Sequence, residues 1–399
     1  MFAKLKSGIK SPQGVNERLK PWSERLLQGW FFVFFMWLLS RIAVIAAIQV
    51  LAPYYPATPA EHPNEMLPLG FVPGFIPRPN WELFSHWDAA WFKQIVLSGY
   101  DFVNDGKRHN IAFFPVFPLA VRAVMTVGFS YEVAGLLVNN LALLAAMILL
   151  YLWVNEHHGE SAAKWSTAVM AWCPFSLFGT VIYSEGLFLL FTTAALRALE
   201  KHRHGQAALW GALATGTRVN GVALIPAFLL VAWKERRPAI AYVAAVLTSG
   251  GLLLFMLYCG IRFADPLAFV HVQKGFGTTS GINWGGWWSM VLNLFKWRWG
   301  AVKELTKLVM VFGSAYLFWR LRDQISRVAI IYGFFSILLI LSSGAVLSVN
   351  RYVYGIVTAS WALGLLLSRH PRWGYGVMGL FGALLVGFSI RFAWWRWVA

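Results

Sequence analysis

Asn110-Ile111-Ala112-Phe113-Phe114-Pro115-Val116-Phe117-Pro118 is the stretch on which the fold turns. It is apolar enough to begin a membrane span, yet it contains two prolines and Arg122 follows a turn later. Proline lacks an amide donor and crowds the preceding helical turn, so a continuous helix through this piece is disfavoured. If residues 113 to 129 do span, Glu185 faces the cytoplasm and the cluster Lys201-His202-Arg203-His204 falls outside. If they form a short interfacial or re-entrant helix, the next spans cover about 133 to 154, 163 to 182 and 186 to 200. The basic cluster then returns inside, where membrane proteins concentrate Lys and Arg, and this register is preferred.

Outward from that stretch the composition is that of a bilayer protein. Of 399 residues, 58% are hydrophobic and only 13% charged, which excludes an ordinary soluble domain. The formal charge of +17 would suggest a nucleic-acid partner if the basic residues formed one patch. They sit instead in short clusters between apolar runs, so membrane lipid is expected and nucleic acid is not. Many of the Trp residues fall at the ends of those runs, where indole rings favour the headgroup level. Cys173 and Cys259 lie inside apolar segments and predict free buried thiols.

Residues 1–28 form a basic arm expected in the cytoplasm, and the run from Gly29 to about Ala52 reads as a retained first span. A proline-rich stretch from Pro53 to Arg78 opens a first outer loop over 53–112. Within that loop Trp81 to Ser98 reads as one amphipathic helix along the membrane surface, ended by Gly99. From Gln206 to Trp233 the interruption Thr217-Arg218-Val219-Asn220-Gly221 argues for two short helices, since one straight span would strand Arg218 at a cost of about 3 kcal/mol. A span over about 239 to 261 leads to a second outer loop, 262–300, whose Trp284, Trp287, Trp288, Trp297 and Trp299 read as an interfacial belt. Four spans follow near 302 to 320, 328 to 347, 352 to 368 and 373 to 392. The expectation is an all-α polytopic protein with about eleven transmembrane segments, forming a single domain over 29–399.

In this register the polar groups that helix packing explains least share the non-cytoplasmic face. Asp88, between Trp87 and Trp91 with no basic residue beside it in sequence, is a candidate general base; a surface acid or helix cap is the plain alternative, and Ser85 could itself cap the following turn. Tyr183 and Glu185 open an apolar helix, where an acid also suits the helix dipole. Arg351 follows Asn350 at a helix start, the unfavourable end for a cation, which points to an anionic partner or to snorkelling. Arg218 calls for a carboxylate or a phosphate. His271, Gln273 and Lys274 suit a phosphate but also an ordinary wet loop. There is no His-x-x-x-His helix, no Cys pair and no glycine-rich phosphate loop, so zinc and nucleotide signals are absent.

The ordered set Trp87-Asp88, Gly99-Tyr100, Ala112-Phe113-Phe114-Pro115-x-x-Pro118, Tyr183-Ser184-Glu185, Thr217-Arg218-Val219-Asn220-Gly221, Asp265-Pro266-Leu267-Ala268-Phe269 with Gln273, and Arg351-Tyr352 resembles the PIG-V-type mannosyltransferases. That family is similar to the broader GT-C class of integral membrane glycosyltransferases. The resemblance implies a GT-C-like bundle that takes a sugar, mannose by family likeness, from a polyprenyl-phosphate donor. It implies Asp88 as the outer-loop acid and general base of an inverting displacement. Arg351, Arg218, Lys274 and His271 would then serve the donor phosphate, with His86, Trp87, Tyr183, Glu185, Asn220, Gln273 and Asn350 around the substrate. The acceptor hydroxyl is not identified, and no cofactor is demanded, although Glu185 could help hold a divalent ion. His86 stands where Arg is expected before Trp-Asp, and the compact loops and short basic arm look like those of a bacterial inner-membrane protein. The rival class is a lipid or solute transporter, which would also have broken helices but should repeat them in two halves; no such repeat is found.

Overall fold

The computed structural model describes residues 22–54, 79–277, 281–295, 299–344 and 346–398. Most of the basic arm, the proline-rich part of the first outer loop and Trp297 therefore lie outside the described residues. Among those described there is no strand. Helix α1, Trp22–Ala46, runs on through a π turn over Ala47–Leu51. Then come α2 (Asp88–Ser98), α3 (Val116–Met125) and α4 (Tyr131–Trp172). The middle of the chain forms α5 (Glu185–Glu200), α6 (His204–Thr217), α7 (Leu224–Lys234), α8 (Ala239–Leu247) and α9 (Gly250–Phe263). The last third forms α10 (Trp284–Leu294), α11 (Trp299–Arg320), α12 (Arg327–Ser342), α13 (Val349–Tyr354), α14 (Val357–Arg369) and α15 (Pro371–Ala393).

The proline-bearing stretch becomes α3, whose ten residues rise about 15 Å at helical pitch and cannot cross a bilayer. Its Arg122 donates to the Val96 carbonyl at the end of α2, which ties the two short helices together. Around them α4 forms the spine and packs against α1, α5 and α14. The break expected between 154 and 163 falls at Gly159, whose φ of 77° and ψ of 178° are not helical, so that Tyr131–Trp172 is two helices meeting at a kink that suits glycine.

Among the described residues three helices are long and apolar enough to cross a membrane: Gly29–Leu51, Tyr131–Trp172 and Pro371–Ala393. A bent pair, α8 and α9, would add a fourth, covering the span expected over 239 to 261 with a 40° kink at Thr248-Ser249. The count of about eleven transmembrane segments is thus not confirmed among the described residues. Hydropathy averages over windows and misses the breaks. Helix α4 ends at Trp172 and does not continue a span to 182; Pro174–Gly179 forms a 3-10 turn and the chain from Thr180 to Ser184 is irregular. Helix α12 ends at Ser342 and not 347, and the span expected from 352 is split at Gly355-Ile356 between α13 and α14. The two short helices expected around Arg218 are found as α6 and α7, joined by a tight 3-10 turn over Val219–Ala223. Both cysteines are free and buried.

Candidate active site

Four segments meet at one end of the bundle. The first is Ser85-His86-Trp87. The continuous helix expected from Trp81 to Ser98 is interrupted here: a 3-10 turn over Trp81–Phe84 ends, and Trp87 takes φ 58° and ψ −115°, a region that residues with a Cβ rarely occupy. Helix α2 therefore begins at Asp88, whose carboxylate sits in the first turn, where the helix dipole favours negative charge. No side chain caps this turn, so Ser85 is not its cap.

The second segment, Cys173–Ser184, is buried throughout. Buried backbone outside a helix must find partners, most stringently in a membrane protein. Arg41 of α1 donates to the carbonyls of Ala171 (2.9 Å) and Ser176 (2.7 Å) and to the hydroxyls of Ser176 (2.9 Å) and Thr180 (2.5 Å). Asn139 of α4 donates to the carbonyls of Phe178 (2.8 Å) and Val181 (2.6 Å) and accepts from the Gly186 amide (2.7 Å). Position 186 needs glycine, because a Cβ there would lie 2.2 Å from the Asn139 carbonyl oxygen. The Ile182 amide donates to the Phe84 carbonyl, joining this segment to the first. Tyr183 and Glu185 are aimed by this lattice.

The Tyr183 hydroxyl accepts from the Asp88 amide (3.2 Å) and donates to the His86 carbonyl (3.3 Å), which pins the start of α2. From α13, Arg351 Nη1 donates to Asp88 Oδ2 at 2.5 Å. Its Nε lies 2.9 Å from Glu185 Oε1, an ion pair without hydrogen-bond alignment. Arg218, at the end of α6, donates through Nη1 to the same Glu185 oxygen. Charge thus alternates along Asp88, Arg351, Glu185 and Arg218, and the four formal charges cancel. The Arg351 guanidinium also lies 5.1 Å from the Tyr183 ring centroid and 5.8 Å from that of Trp397.

Exposure separates the members of this relay. The Glu185 side chain is 1% exposed and Arg351 7%, whereas Asp88 is 20% exposed. Asp88 is the carboxylate of the pair that a ligand can reach. Glu185 is the anchor that holds Arg351 from behind.

The C-terminal end of α15 covers this region. His86 Nδ1 is 3.0 Å from the Phe392 carbonyl, and the ring stacks on Trp395 at 3.9 Å. Burial pushes the His86 imidazole below its ordinary pKa, so the ring is neutral near pH 7 and Nδ1–H is the donor. Trp397 packs edge-on against Trp87 at 5.4 Å. A cavity of about 450 Å³ is lined by His86, Ala90, Lys93, Gln94, Leu97 and Trp395. By helical spacing it lies along the side of α2 opposite Asp88.

The other residues singled out in the sequence are dispersed. Asn350 is buried and donates to Thr306 of α11 at 3.1 Å, bracing α13 beside Arg351. Asn220 is half-buried on the turn after Arg218. His271 is paired with Asp265 at 2.7 Å, and Gln273 donates to the Phe269 carbonyl at 3.3 Å. The loop carrying them and Lys274 reaches α2 through Phe276, whose ring lies 6.1 Å from Trp91. It approaches the site from the side and does not extend the relay. No three His, Cys, Asp or Glu side chains converge among the described residues. Sequence reasoning missed Arg41, Asn139, Trp395 and Trp397. Arg41 carried a signal, a lone cation within the first apolar run; the C-terminal tryptophans passed for headgroup anchors.

The fold defines the class. ArnT from Cupriavidus metallidurans, solved bound to undecaprenyl phosphate, superposes with a TM-score of 0.53 over 87% of this chain and 62% of that one, at 13% identity. This is a GT-C-like membrane fold. The profile of the mannosyltransferase (PIG-V) family matches residues 29–237, just over half of the chain, and the protein belongs to that family. The match includes Asp88, Glu185 and Arg218; Asp265–Gln273 and Arg351 lie beyond it. GPI alpha-1,6-mannosyltransferase 2 of Cricetulus griseus is 30% identical over 242 residues, 51% of this chain and 48% of that protein. The Homo sapiens protein of the same name is 31% identical over 174 residues, 41% of this chain and 34% of that one. The chain spans about half the length, or less, of these curated relatives.

Proposed function

We propose that this protein is a membrane mannosyltransferase that moves mannose from a polyprenyl-phosphate carrier to an acceptor hydroxyl, with Asp88 as the general base. The observation that carries the reading is a partly exposed carboxylate, at the start of a helix, aimed by a buried arginine that a second carboxylate anchors. Family membership supports the sugar, and the undecaprenyl phosphate in ArnT supports the carrier. The acceptor oxygen attacks the anomeric carbon as its proton passes to Asp88. The bond from that carbon to the phosphate oxygen breaks on the opposite face, inverting the configuration, and the lipid phosphate departs with the bonding pair. A phosphate leaves without a strong general acid, so one carboxylate suffices.

In this reading Arg351 holds Asp88 in place, Tyr183 fixes the backbone beneath it, and Arg218 balances Glu185. Trp87, His86 and Asn350 shape the surroundings, while Asn220, His271, Gln273 and Lys274 lie along the approach of the substrates. The relay residues occupy the non-cytoplasmic face of a bacterial inner membrane, in a bundle that crosses it about eleven times with several crossings made of broken pairs. Reconstitution in liposomes with polyprenyl-phosphate mannose and a mixture of hydroxylated acceptors tests the reading. Release of polyprenyl phosphate with a mannosylated product, lost in Asp88→Asn, is expected. Movement of the unaltered lipid or solute across the bilayer, without product, would point to a transporter instead.

A further inference from the structure

Outside the relay, the charges on α11 stand out. Leu305, Val309, Phe312 and Tyr316 form an exposed apolar stripe on one side of this helix. Lys303, Thr306 and Lys307, three and four positions apart, fall on another side that faces inward. Thr306 touches Asn350, the neighbour of Arg351, and so places this side against α13. The Lys307 side chain is 3% exposed and lies 3.2 and 3.3 Å from the two oxygens of Glu304 on its own helix. Lys303, half-buried one turn nearer the start of α11, is within electrostatic reach of Lys307, Glu304 and Arg391 of α15.

Two lysines thus share one carboxylate within the protein. Burying cations together is costly, and an anion inserted among them relieves the cost. The relay offers an anion less, because the charges of Arg351 and Arg218 are already cancelled by Asp88 and Glu185.

We propose that Lys303 and Lys307 form the seat for the phosphate of the lipid-linked donor. This rests on the mannosyl-transfer reading above. The donor phosphodiester carries one negative charge and the departing monoester up to two, so the seat binds the leaving group more strongly than the donor and lowers the barrier to its departure. Lys303 and Lys307 would then touch the reacting phosphate, whereas Arg351 acts through Asp88.

The test is equilibrium binding of polyprenyl phosphate to the purified full-length protein in lipid nanodiscs. Wild type is compared with Lys303→Gln, Lys307→Gln and the paired Glu304→Gln/Lys307→Gln, which removes the lysine without stranding its carboxylate. Each is expected to weaken binding by roughly tenfold or more, while Asp88→Asn, inactive in transfer, still binds. Uncharged polyprenol should not compete. Competition by inorganic phosphate as well as by the lipid would show a seat that reads phosphate alone, and competition by the lipid only would show one that also reads the chain; both support it. Undiminished binding in the lysine variants, with loss in Arg351→Ala, would put the phosphate on the relay and overturn the seat while sparing the donor reading. No binding of polyprenyl phosphate to wild type would overturn both.

Discussion

Helix α5 begins on Glu185 and ends on Glu200, and its two ends have different fates. At the first, a carboxylate favoured by the helix dipole is sealed from solvent between two guanidiniums, one from α6 and one from α13. At the other, the dipole is unfavourable, and Glu200 is held by the Trp153 indole and by His157 at 3.3 Å, with its side chain 25% exposed. Nearby Glu156 pairs with Arg197 and Lys201. Both ends carry buried or half-buried acids with partners, so neither burial nor pairing alone marks a site. The first end is distinguished by segments outside the α-helices, Ser85-His86-Trp87 and Cys173–Ser184, held by Arg41, Asn139 and Tyr183. The second joins helix to helix, as scaffold does.

The contrast is sharpest at Asp88. Replacing it with Asn should lower transfer by about a thousandfold, in the range of a lost general base, with little change in thermal midpoint. Wild-type turnover in that variant would remove the chemistry from this end of the bundle.

Arg351→Ala leaves Asp88 and Glu185 facing each other without their shared cation. It should cost about 3–5 kcal/mol of stability in detergent unfolding and abolish transfer with it. Arg351→Lys should recover stability more than turnover, because an ammonium cannot span both carboxylates as a guanidinium does. Equal recovery of both would make Arg351 an ordinary charge partner.

Glu185→Gln and Glu200→Gln compare the two ends directly. The first should cut kcat by tenfold or so through a loosened Arg351; the second should cost about 1 kcal/mol of stability and leave kcat unchanged. Similar kinetic effects from both would erase the distinction drawn above.

The smallest expected effect is on pH. His86 is held neutral against Phe392 and Trp395, with its pKa below the unfolded value. Its contribution is therefore complete above about pH 6.5 and is lost as the pH falls from there through the lower folded value. Acidification should loosen the C-terminal segment first, visible as increased protease access near Trp395 while the bundle remains folded. A segment equally protected at pH 5 and pH 8 would show that His86 is not its latch.

Much of the site was legible because a bilayer makes charges conspicuous. Asp88, Glu185, Arg218 and Arg351 each stand out against apolar neighbours, and each proved to be in one network. Their pairing was not legible: Arg351 was expected on a phosphate and is found on two carboxylates, one of them 263 positions away in the chain. Lys303 and Lys307 stand at the start of an expected span, where snorkelling hides such a signal. Trp395 and Trp397 look like any interfacial aromatic until α15 delivers them onto His86 and Trp87.

The sequence by itself determined an all-helical membrane protein, the breaks at Pro115/Pro118 and Arg218, and a short roster of charges needing partners. These follow from local rules, because hydropathy, proline and the cost of a lone charge are read over a few residues. Only the tertiary structure decided that Asn110–Pro118 closes as a 3-10 turn and the short helix α3 tied to Val96, and that Asp88 starts a helix. It alone decided which arginine meets which acid. Those outcomes depend on contacts between segments distant in the chain, where the balance lies between the cost of burying charge and the gain of pairing it.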